Sequence, residues 1–107
     1  MTVFALLRVT PITEGDITAD VAAAIDALEA FDVSYETTPM ATTLEADDVH
    51  ELLAACAAAH EAVDAENVQT LVQLDEKRGA SFAASEKVDA VERELGREAT
   101  GTRERDE

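Results

Sequence analysis

A chain of 107 residues has room for one domain, and 24 acidic against eight basic residues give it a formal charge of −16. Nucleic acids and anionic membranes both need the opposite sign, because phosphate neutralisation supplies most of that affinity. No run of about 18 apolar residues exists, which excludes a membrane-spanning helix.

The start, Met1-Thr2-Val3-Phe4, lacks the basic region and long apolar stretch of a signal peptide. The single cysteine, Cys56, cannot form an internal disulfide. A cytoplasmic protein is expected. Two readings of the acidity compete. A dense, screened carboxylate surface with only two lysines, Lys77 and Lys87, suits a halophilic protein; the same charge also attracts cationic ligands.

Residues 2–10, TVFALLRVT, are short, rich in β-branched and aromatic side chains, and stop at Pro11. Val3, Ala5, Leu7 and Val9 line one face of this strand; Phe4, Leu6, Arg8 and Thr10 line the other. Both faces are largely apolar, so the strand is expected to be central, with cover on each side. A loop through Gly15 leads to a helix capped by Thr18, with Val21, Ala24, Ile25 and Leu28 at helical spacing and an end near Phe31-Asp32. Val33 to Thr37 alternates as a half-covered strand, Pro39-Met40 turns, and Ala41 to Glu45 returns as a third strand. Asp47 or Asp48 caps a second helix, with Asp48 and Glu51 at capping-box spacing and a stripe of Val49, Leu52, Leu53, Cys56, His60 and Val63. Residues 67–76 return to period two. A third helix runs from about Ser85 through Val88, Val91 and Leu95 to a stop at Gly96.

The order β-α-β-β-α-β-α predicts an α+β fold. It is a ferredoxin-like βαββαβ sandwich over residues 1–96, with a four-stranded antiparallel sheet and an extra C-terminal helix. Residues 97–107 form a polar tail expected to be disordered. One sheet face then displays Phe4, Leu6, and either Leu71 or the Val68/Val72 set under a short helix. A soluble monomer rarely leaves such a patch bare, so a homo-oligomer, dimer or tetramer, is expected.

Chemistry-bearing patterns are few. Cys56 and His60 share a helix face at i, i+4, but without a second pair at ligand spacing a metal site is not expected. Cys56 reads as a core filler and His60 as a half-buried residue bonded to a carbonyl. Neither a nucleophile elbow nor a glycine-rich phosphate loop occurs, so the chain does not read as an enzyme. Asp75-Glu76-Lys77-Arg78 reads as a solvated strand end or a site. Between 35 and 45, alternation puts Thr43 and Glu45 on one face and Thr42 and Leu44 on the other. Hydroxyls and a carboxylate can bind an amino group and ring nitrogens, while a β-branched strand leading into a helix explains the same residues structurally.

"YETTPMATTLEADDVHELLAACAAAHEAV" followed by "VQTLVQLDEKRG" resembles the small thiamine-binding, YkoF-like family of ferredoxin-fold proteins. The motifs that carry the resemblance are Tyr35, Met40-Ala41-Thr42, Glu45, His60-Glu61 and Asp75 to Arg78, across residues 2–95. Two departures stand out: Ala41 replaces a glycine, and the Asp75 to Arg78 motif is one residue longer. The resemblance implies a homo-oligomer, often a tetramer, that binds thiamine or its hydroxymethylpyrimidine part near a subunit interface. No catalytic residues and no cofactor are expected. The residues expected to meet the ligand are Thr42, Thr43 and Glu45, with Arg8 and Thr10 on the neighbouring strand. Phe4 or Tyr35 would stack on a ring. The rival readings are a regulatory module that senses an amino acid, and a structural oligomer without a small ligand.

Overall fold

Strand β1 (Val3–Pro11) organises the molecule, because it hydrogen-bonds a partner on each side. In the computed structural model, which describes residues 2–76, 78–79 and 84–102, it is followed by α1 (Thr18–Asp26). A 3-10 turn (Ala27–Ala30) extends α1, and then come β2 (Ser34–Thr37), β3 (Thr42–Ala46), α2 (Val49–Glu61), β4 (Val68–Glu76) and α3 (Ala84–Leu95). The strands lie in the order β2-β3-β1-β4, every neighbour antiparallel. This is the ferredoxin-like arrangement with an added C-terminal helix, as the alternation of elements leads one to expect.

Helices α1 and α2 pack on one sheet face. That inner face is built from alternate residues: Val3, Ala5 and Leu7 of β1 beside Thr42, Leu44 and Ala46 of β3, all buried. Ala24 from α1, Leu28 from the 3-10 turn, and Leu52, Ala55, Cys56, Ala59 and Val63 from α2 and its exit complete the core. Val68 and Val72 also pack against it, while Leu71 points outward and is 49% exposed. The choice the sequence left open between these two sets is thereby made.

Four local readings change. Thr18 is not a cap: Asp16 Oδ1 accepts from both the Thr18 amide (2.9 Å) and its hydroxyl (2.6 Å), so the aspartate braces the start of α1. Those bonds favour the ionised form and hold the Asp16 carboxyl below its ordinary pKa. Asp48 does cap α2 by accepting from the His50 amide at 2.9 Å, but Glu51 does not complete a capping box. Its carboxylate instead accepts from the Asp32 amide at 2.9 Å, tying α2 to the loop before β2. The buried stripe of α2 is rotated towards Ala55 and Ala59, both fully buried, which leaves Leu53 42% exposed and His60 on the surface. His60 Nδ1 lies 2.5 Å from the Thr70 hydroxyl rather than on a carbonyl. Burial raises the pKa of the Cys56 thiol, as suits a core residue.

The hairpin between β2 and β3 is organised by Thr38. Its amide donates to the Ala41 carbonyl at 2.8 Å, and its hydroxyl accepts from the Met40 and Ala41 amides. Ala41 occupies the position of an expected glycine at no backbone cost, since no described non-glycine residue has positive φ. At the far end Gly96, with φ of 73°, closes α3 by donating to the Glu92 carbonyl. Residues 97–102 are exposed and carry no regular element. The rest of the expected tail, 103–107, and Lys77 of the Asp75 to Arg78 motif lie outside the described residues.

Candidate ligand-binding site

The alternation that fills the core sends every second side chain to the other face of the sheet. There the register sets Phe4 opposite Glu45 on one side and Asp75 on the other, and Leu6 opposite Thr43 and Gln73. On β2, Ser34 faces Glu45 and Glu36 faces Thr43. The first turns of α3 stand over this surface, with Ser85, Val88 and Asp89 forming one wall. Between helix and sheet lies an open cleft of about 740 Å³, within the range of ~300–1,000 Å³ usual for small-molecule sites.

The floor of the cleft is apolar, from Phe4 and Leu6, and four carboxylates border it: Glu36, Glu45, Asp75 and Asp89. The Lys87 ammonium enters from α3, 2.7 Å from Asp75 Oδ2 and 4.5 Å from the centre of the Phe4 ring. The Thr43 hydroxyl donates a long bond of 3.4 Å to the Glu36 carbonyl. Such a surface is chemically suited to a flat ring with amino or cationic character. An aromatic floor accepts the ring, and carboxylates accept its donors. Among the described residues no group of three His, Cys, Asp or Glu side chains is placed to hold a metal ion. None of the described helices is long and apolar enough to cross a membrane.

The five residues expected from the sequence divide three ways. Thr43 and Glu45 line the cleft. Thr42 lies on the inner face, buried, its hydroxyl 3.1 Å from that of Thr37. Arg8 and Thr10 share the outer face with the cleft but sit further along β1, opposite Leu71 and Gln69, where β3 no longer pairs. Of the two candidate stacking residues, Phe4 forms the floor. The Tyr35 phenol donates to the Glu29 carboxylate, a bond that raises its pKa. His60 and Glu61 border a separate depression of about 480 Å³ at the end of α2, on the opposite side of the sheet.

A short third helix over this face is expected from the sequence, whereas the cleft wall made by its Ser85, Val88 and Asp89 is not. Two facts together contained a signal for it: the helix needs a partner for Val88, Val91 and Leu95, and the sheet has one uncovered apolar face.

Fold and cleft together define a ferredoxin-like domain with an open pocket on its outer sheet face. The sequence profile described as thiamine-binding protein matches residues 5–92. A UPF0045 protein of Methanothermobacter thermautotrophicus is 41% identical over 78 residues, spanning 70% of this chain and 79% of its own. The chain therefore belongs to the thiamine-binding protein family. Among solved structures, a hypothetical protein of Methanocaldococcus jannaschii matches with a TM-score of 0.78 at 29% identity, over 84% of this chain and 95% of its own. A candidate thiamine biosynthesis/salvage protein of Thermotoga maritima matches with a TM-score of 0.72 over 85% of this chain and 99% of its own. At 22% identity that second likeness is one of fold.

Proposed function

We propose that the protein binds thiamine, or its hydroxymethylpyrimidine part, without catalysing a reaction, in the cleft between the outer sheet face and α3. The observation that carries this reading is the position of Glu45 beside Phe4 in a cleft of suitable size, in a chain of this family. In this reading Glu45 accepts from the pyrimidine amino group and the Thr43 hydroxyl bonds a ring nitrogen. Thr42 supports β3 from behind. The surrounding carboxylates favour the cationic thiazolium.

The cleft is open, and it belongs at a subunit interface of a homo-oligomer, a dimer or a tetramer. Half-exposed Leu71 on the outer face and Val88, Val91 and Leu95 along α3 support that assembly, because together they offer an apolar surface. Arg8 and Thr10 then meet the ligand where the interface extends the cleft along β1. The acidic surface and the buried free thiol support a cytoplasmic protein working at high salt.

Isothermal titration calorimetry in molar salt tests the reading. Thiamine binds the wild type, and Glu45→Ala abolishes binding while leaving the circular dichroism spectrum intact. Undiminished binding by that variant removes the role of Glu45. No binding by the wild type, of either thiamine or hydroxymethylpyrimidine, removes the ligand.

A further inference from the structure

The corner of the cleft formed by Phe4 and Asp75 already holds a cation. Lys87 reaches down from α3 so that its ammonium lies 4.5 Å from the Phe4 ring centre and 2.7 Å from Asp75 Oδ2. An aromatic face beside a carboxylate is the arrangement that recognises organic cations, because the ring quadrupole and the negative charge attract the same ligand. Register makes the pair a fixed feature, since Phe4 and Asp75 are direct cross-strand neighbours of β1 and β4. Lys87 comes from a different element, and its side chain is 45% exposed. An exposed ion pair is a weak tether, so the lysine can leave while the corner stays.

We infer that Phe4 and Asp75 form a subsite for the cationic ring of the ligand, and that Lys87 is its internal occupant in the unliganded chain. This rests on the reading above and divides the ligand between two ends of the cleft. Glu45 and Thr43 serve the uncharged aminopyrimidine on the β2–β3 side, and Phe4 and Asp75 serve the positively charged ring on the β4 side. Binding of the cation displaces the ammonium and loosens α3 from the sheet. A ligand without a permanent positive charge has no such exchange to make.

The experiment compares thiamine with uncharged hydroxymethylpyrimidine by calorimetry at pH 8 and one fixed salt concentration. It uses the wild type, Lys87→Gln, Lys87→Arg and Asp75→Asn. Removing the competitor in Lys87→Gln tightens thiamine roughly three- to tenfold, the scale of one exposed cation–π contact and one surface ion pair. It leaves hydroxymethylpyrimidine unchanged. Lys87→Arg restores an occupant and returns thiamine affinity to near the wild-type value, which separates competition from a general effect of altering α3. Asp75→Asn weakens thiamine alone. Equal changes for both ligands in Lys87→Gln, or no change for thiamine, overturn the inference while the proposed function stands. Failure of both ligands to bind the wild type removes the underlying reading instead, and the inference with it.

Discussion

The two faces of the sheet are made by the same strands, often by adjacent residues, yet they differ in almost every physical respect. On the inner face Val3, Ala5, Leu7 and Leu44 are buried against α1 and α2. On the outer face Phe4, Leu6, Thr43 and Glu45 alternate with them and border an open cleft. Thr42 and Thr43 show the contrast most simply. The first is buried and bonded to Thr37, and the second is exposed beside carboxylates. Because the strand period is two, a one-residue slip would exchange core for site, so burial of the inner face fixes the outer one.

The largest test of that contrast is a pair of equal truncations. Leu44→Ala, at a position 2% exposed, should lower unfolding free energy by about 2–5 kcal/mol in chemical denaturation at fixed salt. Leu71→Ala, on the outer face and 49% exposed, should cost the isolated subunit no more than about 0.5 kcal/mol. Similar losses from the two would show that the faces are not energetically distinct.

A finer cut uses the two threonines. Thr42→Val removes a buried hydroxyl from its partner and should destabilise by roughly 0.5–1.5 kcal/mol with thiamine affinity little changed. Thr43→Val should do the reverse, with a melting temperature near wild type and weaker binding. Calorimetric titration and thermal melts on the same samples would sharpen or erase the division.

The smallest expected effect lies off both faces. The lowered Asp16 pKa means that its ionised form is favoured by folding, so its contribution is present above the ordinary carboxylate value of 3.8. It is lost as pH falls through the lower native value. Asp16→Asn should therefore narrow the gap in melting temperature between neutral and acidic pH, by a small amount because the group is fully exposed.

Much of the fold was legible because its signals are local. The period-two pattern of residues 2–10, the turn at Pro39-Met40 and the stop at Gly96 each depend on a few neighbouring residues. Failures arose where partners are distant in sequence. Glu51 looks like a capping residue until the loop at Asp32 comes within reach of its carboxylate. The true stripe of α2 was disguised by Ala55 and Ala59, which register weakly as hydrophobic yet allow the helix to approach the sheet closely. For the candidate site, alternation alone put Thr43 and Glu45 on one face. It could not bring Lys87 to Asp75, twelve positions apart, since that depends on how α3 crosses the sheet.

The junction of β3 with α2 has a further consequence. Only Asp47 and Asp48 separate Ala46, the last residue of β3, from Val49, the first of α2, and Asp48 is itself engaged as the helix cap. Glu45 therefore sits on a strand flanked by two others, two residues before a rigid connection to a packed helix. Its backbone has little freedom left to lose when a ligand arrives. The ordering that a loop-borne carboxylate would undergo during association has already taken place during folding, and the affinity of the cleft is correspondingly less taxed by entropy.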